Sequence, residues 1–351
     1  MNTEPHLFID SQANALGVLI GRFQPFHLGH LELVRAALST VDRLLILIGS
    51  GNTPRTIKNP FTFVERVEMI EQTLNENELN RVFFASIPDY PYDDAAWCLA
   101  VETQVAKIKQ ASDLEHMPTV LIGHEKDESS YYLKLFPNWK RIEFADFGGY
   151  SATPLRDKYL REGEISTDFP NEVREYLAAF KYSDVYQNLV AERKQIDKEK
   201  DAWKNAPYPP IFVTVDALVL HKNEILLIER GRCPGKGLWA LPGGFLEEKE
   251  TMLTSCLREL SEETGISCTQ AVWEKFLRKQ QIFEAYGRSF RGRVITQVFL
   301  FELPADCPRP SICAGDDAAY SFWTKIDDLK AEKFFDDHFH IVREMLKDIR
   351  Q

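Results

Sequence analysis

The sequence predicts two mixed units in series, a doubly wound parallel α/β sheet followed by an α+β unit, and three observations carry that reading. The chain has 351 residues, more than a single core commonly spans. Short apolar runs alternate with amphipathic stretches through its first half, as expected of parallel strands joined by helices. Residues 183–206 then change character: ten of these 24 are charged, five of each sign, and Pro207, Pro209 and Pro210 follow. We therefore expect a first unit over 1–182, a charged helical linker over 183–206 and a second unit over 207–351.

Each element follows from its local pattern. Apolar runs at 15–20, 43–48, 82–87, 119–122 and 141–144 read as strands, and helical spacing marks 31–38, 63–74 and 95–108 as the helices among them. Ligands of such a sheet sit beyond the carboxyl ends of its strands. In the linker, Tyr186, Leu189, Val190 and Ile196 keep helical spacing, so it reads as a helix ended by prolines. Past it, 211–220, 225–228 and 294–303 are β-rich, with helices at 252–264 and 338–349. No internal repeat or low-complexity tract interrupts the pattern.

Composition narrows the function. With 44% hydrophobic and 27% charged residues the chain is an ordinary globular protein. Fifty-three acidic against 42 basic residues give a net charge of -11, which argues against a broad nucleic-acid-binding face but allows local clusters that hold phosphate. The six cysteines form no CxxC pair and have no histidine at zinc-ligand spacing, so we expect buried, reduced thiols. No run of ~18 apolar residues occurs, and the first residues lack the apolar run of a signal peptide. These features point to a cytoplasmic enzyme acting on small molecules, with neither membrane nor nucleic acid as partner; a homo-oligomer stays open.

The segment GRFQPFHLGH (21–30) joins the first strand to the first helix. Gly21 and Gly29 let the backbone approach a ligand, and the helix N-terminus attracts phosphate. His27 and His30, three apart, can aim imidazole donors at one phosphate, and Arg22 adds a fixed charge. A second element, SATPLR (151–156), opens a later helix with the Ser151 hydroxyl and with Arg156 placed for the far phosphates of a triphosphate. The HxGH turn with this distal S-x4-R helix resembles the nucleotidyltransferase superfamily. With IGS (48–50), NPFTFVERVEMI (59–70) and IPDYPYDDAAW (87–97), the first unit is similar to the archaeal-type nicotinamide mononucleotide adenylyltransferases.

That resemblance implies ATP as a substrate, direct attack of the mononucleotide phosphate on the α-phosphorus, and pyrophosphate as leaving group. It puts His27, His30, Arg22 and Arg156 on the ATP phosphates with Ser151 at the distal helix, Trp97 stacked on the nicotinamide ring and Asp89 hydrogen-bonded to it. Lys58 stands where the resemblance expects an arginine, which keeps the charge and loses bidentate geometry. Transfer to another phosphate acceptor, such as a pantetheine phosphate or flavin mononucleotide, is the alternative reading.

In the second unit Gly244, Glu250, Arg258, Glu259, Glu262, Glu263 and Gly265 fit G-x5-E-x7-R-E-U-x-E-E-x-G-U, with Leu260 and Ile266 at the aliphatic positions. Seven fixed residues at about 7% each match by chance about once in a hundred million starts. Glu259, Glu262 and Glu263, spaced i, i+3, i+4, put three carboxylates on one helical face. Such hard oxygen ligands suit Mg2+ or Mn2+, which neutralises a diphosphate and lowers the pKa of an attacking water. Glu250 and Arg258 pair to brace the loop, Gly243 and Gly244 free backbone carbonyls for the metal, and Glu247 is a further candidate ligand. The pattern is that of the Nudix box.

Two later stretches bear on the Nudix substrate. Arg291 and Arg293 in FRGRVITQVF (290–299) fall at alternate positions of an expected strand, suited to a second phosphate or a terminal ribose. Asp316 and Asp317 place two carboxylates in a loop before another strand. Both stretches resemble the ADP-ribose pyrophosphatase branch, although the proline many of its members carry after the box has no counterpart between Ile266 and Leu303. Together the resemblances imply adenylyl transfer from ATP to nicotinamide mononucleotide, giving NAD and pyrophosphate, and metal-dependent hydrolysis of ADP-ribose to AMP and ribose 5-phosphate. In the alternatives, the Nudix unit acts on a different nucleoside diphosphate or serves as an ADP-ribose-sensing regulatory module.

Overall fold

The computed structural model describes residues 12–123, 134–145, 147–313, 318–347 and 349. The chain divides into two compact units between Val190 and Ala191.

The N-terminal unit is built on β1 (Gln12–Gly21), β2 (Val41–Ile48), β3 (Val82–Ser86), β4 (Thr119–Gly123) and β5 (Lys140–Glu143). These form one parallel sheet in the order β3-β2-β1-β4-β5. Its helices are α1 (Leu28–Thr40), α2 (Phe63–Glu71), α3 (Glu76–Leu79), α4 (Asp94–Ala111), α5 (Ala152–Glu162) and α6 (Asn171–Phe180). Strand order reverses between β1 and β4, so the loops leaving these two strands diverge and open a crevice at their carboxyl ends. The strands are apolar on both faces because both are covered: Leu16, Val18, Leu45, Leu47 and Leu121 pack with Val101 and Val105 of α4. Thr62 starts α2 through a reciprocal cap with Glu65.

The stretch expected as a linker is mostly α7 (Asp184–Ala202), and the division between the units falls inside it. Within the first unit, the Tyr186 hydroxyl donates to the Tyr159 carbonyl at 2.8 Å. Within the second, the Gly235 amide donates to Glu192 at 3.2 Å. The helix is thus an integral part of both units.

The C-terminal unit contains β6 (Ile211–His221), β7 (Glu224–Arg230), β8 (Trp239–Ala240), β9 (Gly243–Phe245), α8 (Met252–Thr264), α9 (Gln270–Phe276), β10 (Leu277–Phe283), β11 (Arg293–Leu303), β12 (Ala318–Lys325) and α10 (His338–Leu346). The sheet runs β10-β11-β6-β7-β12, with β8 on β7 and β9 on β6; β11 and β6 are parallel and the other pairs antiparallel. α8 buries Cys256 and Leu260 against Val215, Ala217 and Val219. Thr251 caps its start and Gly265, at φ 72°, ends it. The pairing of Gly243 with Asp216 and of Phe245 with Thr214 holds the glycine loop beside that helix.

One expectation is corrected here. Of the six free cysteines only Cys256 is buried; Cys98 is half-buried, and Cys233, Cys268, Cys307 and Cys313 lie exposed on connecting segments. Among the described residues no helix is long and apolar enough to cross a membrane.

Candidate active sites

The first site forms where β1 gives way to α1. His27 is the N-cap of α1 and His30 its third residue, and each Nδ1 accepts the other's backbone N–H at 3.3 Å. With both Nδ1 atoms acting as acceptors, the proton of each neutral ring resides on Nε2. The imidazoles stack, centroids 3.5 Å apart and planes 18° from parallel, and Phe23 and Phe26 flank His30. The glycines serve a purpose the sequence did not disclose. A Cβ on Gly21 would fall 2.6 Å from the Phe23 ring, and one on Gly29 would fall 3.0 Å from Tyr150 and 3.3 Å from His27. They admit the protein's own aromatic rings.

Two buried guanidiniums hold this turn. Arg66, 1% exposed, donates from Nη1 to the carbonyls of Arg22 (2.8 Å) and Gly49 (2.7 Å), from Nη2 to Ser50 (3.1 Å) and from Nε to Thr62 (3.1 Å). Arg156 donates from Nη1 to the Gln24 carbonyl (2.7 Å) and from Nε to that of Ile57 (3.0 Å). Burial pushes both down to about 10, and the nearby positive charge of Arg22 adds to the shift. Arg66 went unassigned in the sequence although ERVEMI contains it, because three of its four partners lie 16 to 44 residues away. Arg156, expected on phosphate, braces the turn against the loop that carries Lys58.

The remaining expected residues of this unit surround that frame. Arg22 is exposed. Ser151 is the N-cap of α5, and its hydroxyl makes no capping hydrogen bond. Ser50, in the left-handed region at φ 51°, donates its hydroxyl to Asp89 Oδ2 at 2.7 Å, so Asp89 is tied through Ser50 to Arg66. Trp97 packs on the sheet's core and lies 5.8 Å from the Phe136 ring. Lys58 is half-buried.

The second site is a cavity of about 320 Å³ in the C-terminal unit, lined by Glu259, Glu263, Gly243, Gly244 and Glu247 together with Arg230, Arg288 and Arg291. Glu263 accepts the Gly243 amide at 2.9 Å, and burial together with the neighbouring Glu259 and Asp216 charges raises its carboxyl to about 8. Burial also raises Glu259. Gly244 lies against Glu259, where a Cβ would come within 2.3 Å of the carboxylate.

Two expectations change here. Glu262 does not line the cavity; it is exposed and pairs with Arg258 at 2.9 Å. Four residues of helix turn about 40°, which keeps Glu259 beside Glu263, whereas the step from Glu262 to Glu263 turns about 100° and carries Glu262 off that face. Arg258 also binds Glu250 (3.0 Å) and Glu259 (2.9 Å), the loop brace the sequence suggested. Arg291 lines the cavity with its guanidinium 5.0 Å over Phe245, and its Nε is buried without a hydrogen-bond partner. Arg293, by contrast, lies outside the lining and donates to the Glu284 carbonyl at 2.6 Å. The strand starts only at Arg293, after Gly292 at φ 152°, so strand alternation never applied to the pair. Asp316 and Asp317 lie outside the described residues.

Comparison with known proteins matches this division. Residues 18–145 fit the cytidylyltransferase-like family and residues 210–345 the NUDIX domain family. A nicotinamide/nicotinic acid mononucleotide adenylyltransferase of Acinetobacter baylyi is 40% identical over 173 residues, covering 49% of this chain and 89% of that protein. A nicotinamide-nucleotide adenylyltransferase of Saccharolobus solfataricus is 31% identical over 51% of this chain and 98% of its own length. A crystal structure of a bifunctional NMN adenylyltransferase/ADP ribose pyrophosphatase from Francisella tularensis, complexed with AMP and Mn ion, superposes with a TM-score of 0.87 at 37% identity, over 95% of this chain and 99% of that one. The chain belongs to the bifunctional NMN adenylyltransferase/ADP-ribose pyrophosphatase family.

For this bifunctional family member, the question is whether the Nudix cavity suits a divalent ion. Glu259 and Glu263 offer it hard oxygens, and both carboxyls, raised by burial and in Glu263 also by the charge of Glu259, gain from a bound cation. Among the described residues no three His, Cys, Asp or Glu side chains converge as a ready cage. A hard divalent ion can use one or two carboxylates and fill its remaining places with water and phosphate oxygens. Glu259 and Glu263 are the pair that meets this description.

Proposed function

We propose that the N-terminal unit transfers AMP from ATP to nicotinamide mononucleotide and that the C-terminal unit hydrolyses ADP-ribose to AMP and ribose 5-phosphate. The observation that carries this reading is the likeness to a bifunctional enzyme over 95% of the chain, spanning both sites. In the first reaction a phosphate oxygen of the mononucleotide forms a bond to the α-phosphorus of ATP, the bond to the β-phosphate bridge breaks, and pyrophosphate leaves. Arg22, the Nε2–H groups of His27 and His30, and the N-terminus of α5 with Ser151 and Lys58 stabilise the charge that develops on the phosphates. Arg66 and Arg156 keep the turn in register for that contact. Asp89 and Trp97 take the nicotinamide ring.

In the second reaction a water oxygen bonds to one phosphorus of ADP-ribose and the bridging P–O bond breaks. A bound Mg2+ or Mn2+ supplies Lewis acidity and a more acidic water. Glu259 and Glu263 hold that ion beside Gly244, Arg258 steadies Glu259, and Arg230 and Arg291 bind the diphosphate. The free thiols and the net charge of -11 support a reducing cytoplasmic setting and small nucleotides rather than nucleic acid as partners. The test is direct: purified protein given ATP, Mg2+ and nicotinamide mononucleotide should form NAD, and given ADP-ribose should form AMP and ribose 5-phosphate. Failure of either product sinks that half of the proposal.

A further inference from the structure

The Nudix cavity holds one more acid, and it is unlike the others. Asp336 lines the wall, yet among the described residues no hydrogen bond or ion pair engages its carboxylate; Arg291, Arg288 and Arg230 act on it only at longer range. Its neighbour Asp337 is outside the lining and is bound by Arg288 through two hydrogen bonds of 3.0 and 2.9 Å. Asp336 itself sits at φ 44°, a left-handed backbone that L side chains seldom adopt, so the fold holds this carboxylate in place at a cost. Two residues on, His338 also lines the cavity. Its Nδ1 accepts the Leu241 amide at 3.2 Å, which leaves the ring proton on Nε2.

The lining of this one cavity therefore includes both a carboxylate acceptor and an N–H donor. A phosphate would be repelled by the first of these, whereas a vicinal diol satisfies both: one hydroxyl donates to the carboxylate while an oxygen accepts from the imidazole. We propose that Asp336 and His338 form a hydroxyl subsite that takes a ribose diol of the diphosphate substrate, beside the arginines that take its phosphates. This rests on the reading of the cavity as an ADP-ribose hydrolase. Burial and the adjacent Asp337 raise the Asp336 carboxyl to about 7, in keeping with a group held ready for a hydroxyl partner.

The experiment measures kcat/KM of the full-length protein on ADP-ribose and on two analogues, each lacking the 2-hydroxyl of one ribose. Asp336→Ala should lower kcat/KM on ADP-ribose ~10-fold or more, and should cost under ~3-fold on the analogue that lacks the contacted hydroxyl, since the lost hydrogen bond cannot be lost twice. Whichever analogue shows this names the ribose. His338→Asn should follow the same pattern. Asp336→Gly separates function from folding: it relieves the left-handed strain, so the melting temperature should hold or rise while the same activity is lost. Equal losses on all three substrates, or no loss on any, overturns the subsite. A wild-type protein that leaves ADP-ribose intact overturns the cavity's assignment and the subsite with it, whereas active wild type with unaffected variants overturns the subsite alone.

Discussion

The two sites hold phosphate-bearing ligands on opposite principles. In the N-terminal turn the charged groups are already engaged: Arg66 binds four carbonyls, Arg156 binds two, and each histidine Nδ1 holds a backbone amide. Its chemistry comes from a rigid frame that fixes both imidazoles beside the exposed Arg22. In the Nudix cavity the charges are held short of satisfaction: Glu263 is raised to about 8, Asp336 to about 7, and Arg291 Nε has no partner. One site is organised before the ligand arrives, and the other is completed by a cation and a diphosphate. Damage to the first should therefore cost folding and activity together, while damage to the second should cost activity with little loss of fold.

The largest effect expected is on the cation-dependent side. Glu263→Gln should lower ADP-ribose hydrolysis by on the order of 10³-fold while NAD formation stays within twofold; Glu262→Gln, whose carboxylate lies outside the cavity, should lose only ~10-fold. Steady-state rates of both reactions decide it, and equal losses would erase the distinction between the two glutamates. On the organised side, Arg66→Met strands four carbonyls and should cost about 3 kcal/mol of stability together with ~100-fold in NAD formation. Chemical denaturation and the two activities report this, with Arg66→Lys recovering part of both. An Arg66→Met protein that is stable but inactive would show that the frame is not structural.

Smaller effects sharpen the contrast. Arg291→Ala should raise KM for ADP-ribose ~10-fold, whereas Arg293→Ala, outside the lining, should change it less than twofold. The pH dependence of metal binding follows from Glu263. Its folded value is raised, so between the ordinary carboxylate range and about pH 8 the unfolded chain is ionised while native Glu263 keeps its proton. Without metal, stability therefore falls as pH climbs through that window. Mg2+ binds the ionised form, so its affinity should rise with pH and level off above about 8. Thermal melts at pH 6 and pH 9 should show the larger Mg2+-induced gain at pH 9.

Much of this was legible because it is local. The run of apolar residues in β2 and the cap-to-glycine span of α8 are written in consecutive residues, and the Nudix spacing fixes Glu259 and Glu263 on one face. The sequence was misleading where a side chain's fate depends on distant chain or on one torsion. Arg66 and Arg156 bind carbonyls brought up by the sheet, β10 was missed because its alternating exposure leaves no apolar run, and Gly292 cancelled the strand phase assumed for Arg291 and Arg293. Ser50 was visible only as the end of the IGS segment: its left-handed backbone and its bond to Asp89 appear only once β2 and β3 are aligned.

The mutual cap of His27 and His30 means that a substitution at either position removes an imidazole from the phosphate turn and also unfastens the start of α1. Each substitution removes one imidazole and one of the two capping hydrogen bonds, so alanine scanning cannot separate those losses. The pair behaves as one heritable character, so drift at either residue is penalised twice, by a lost reaction and by a frayed helix.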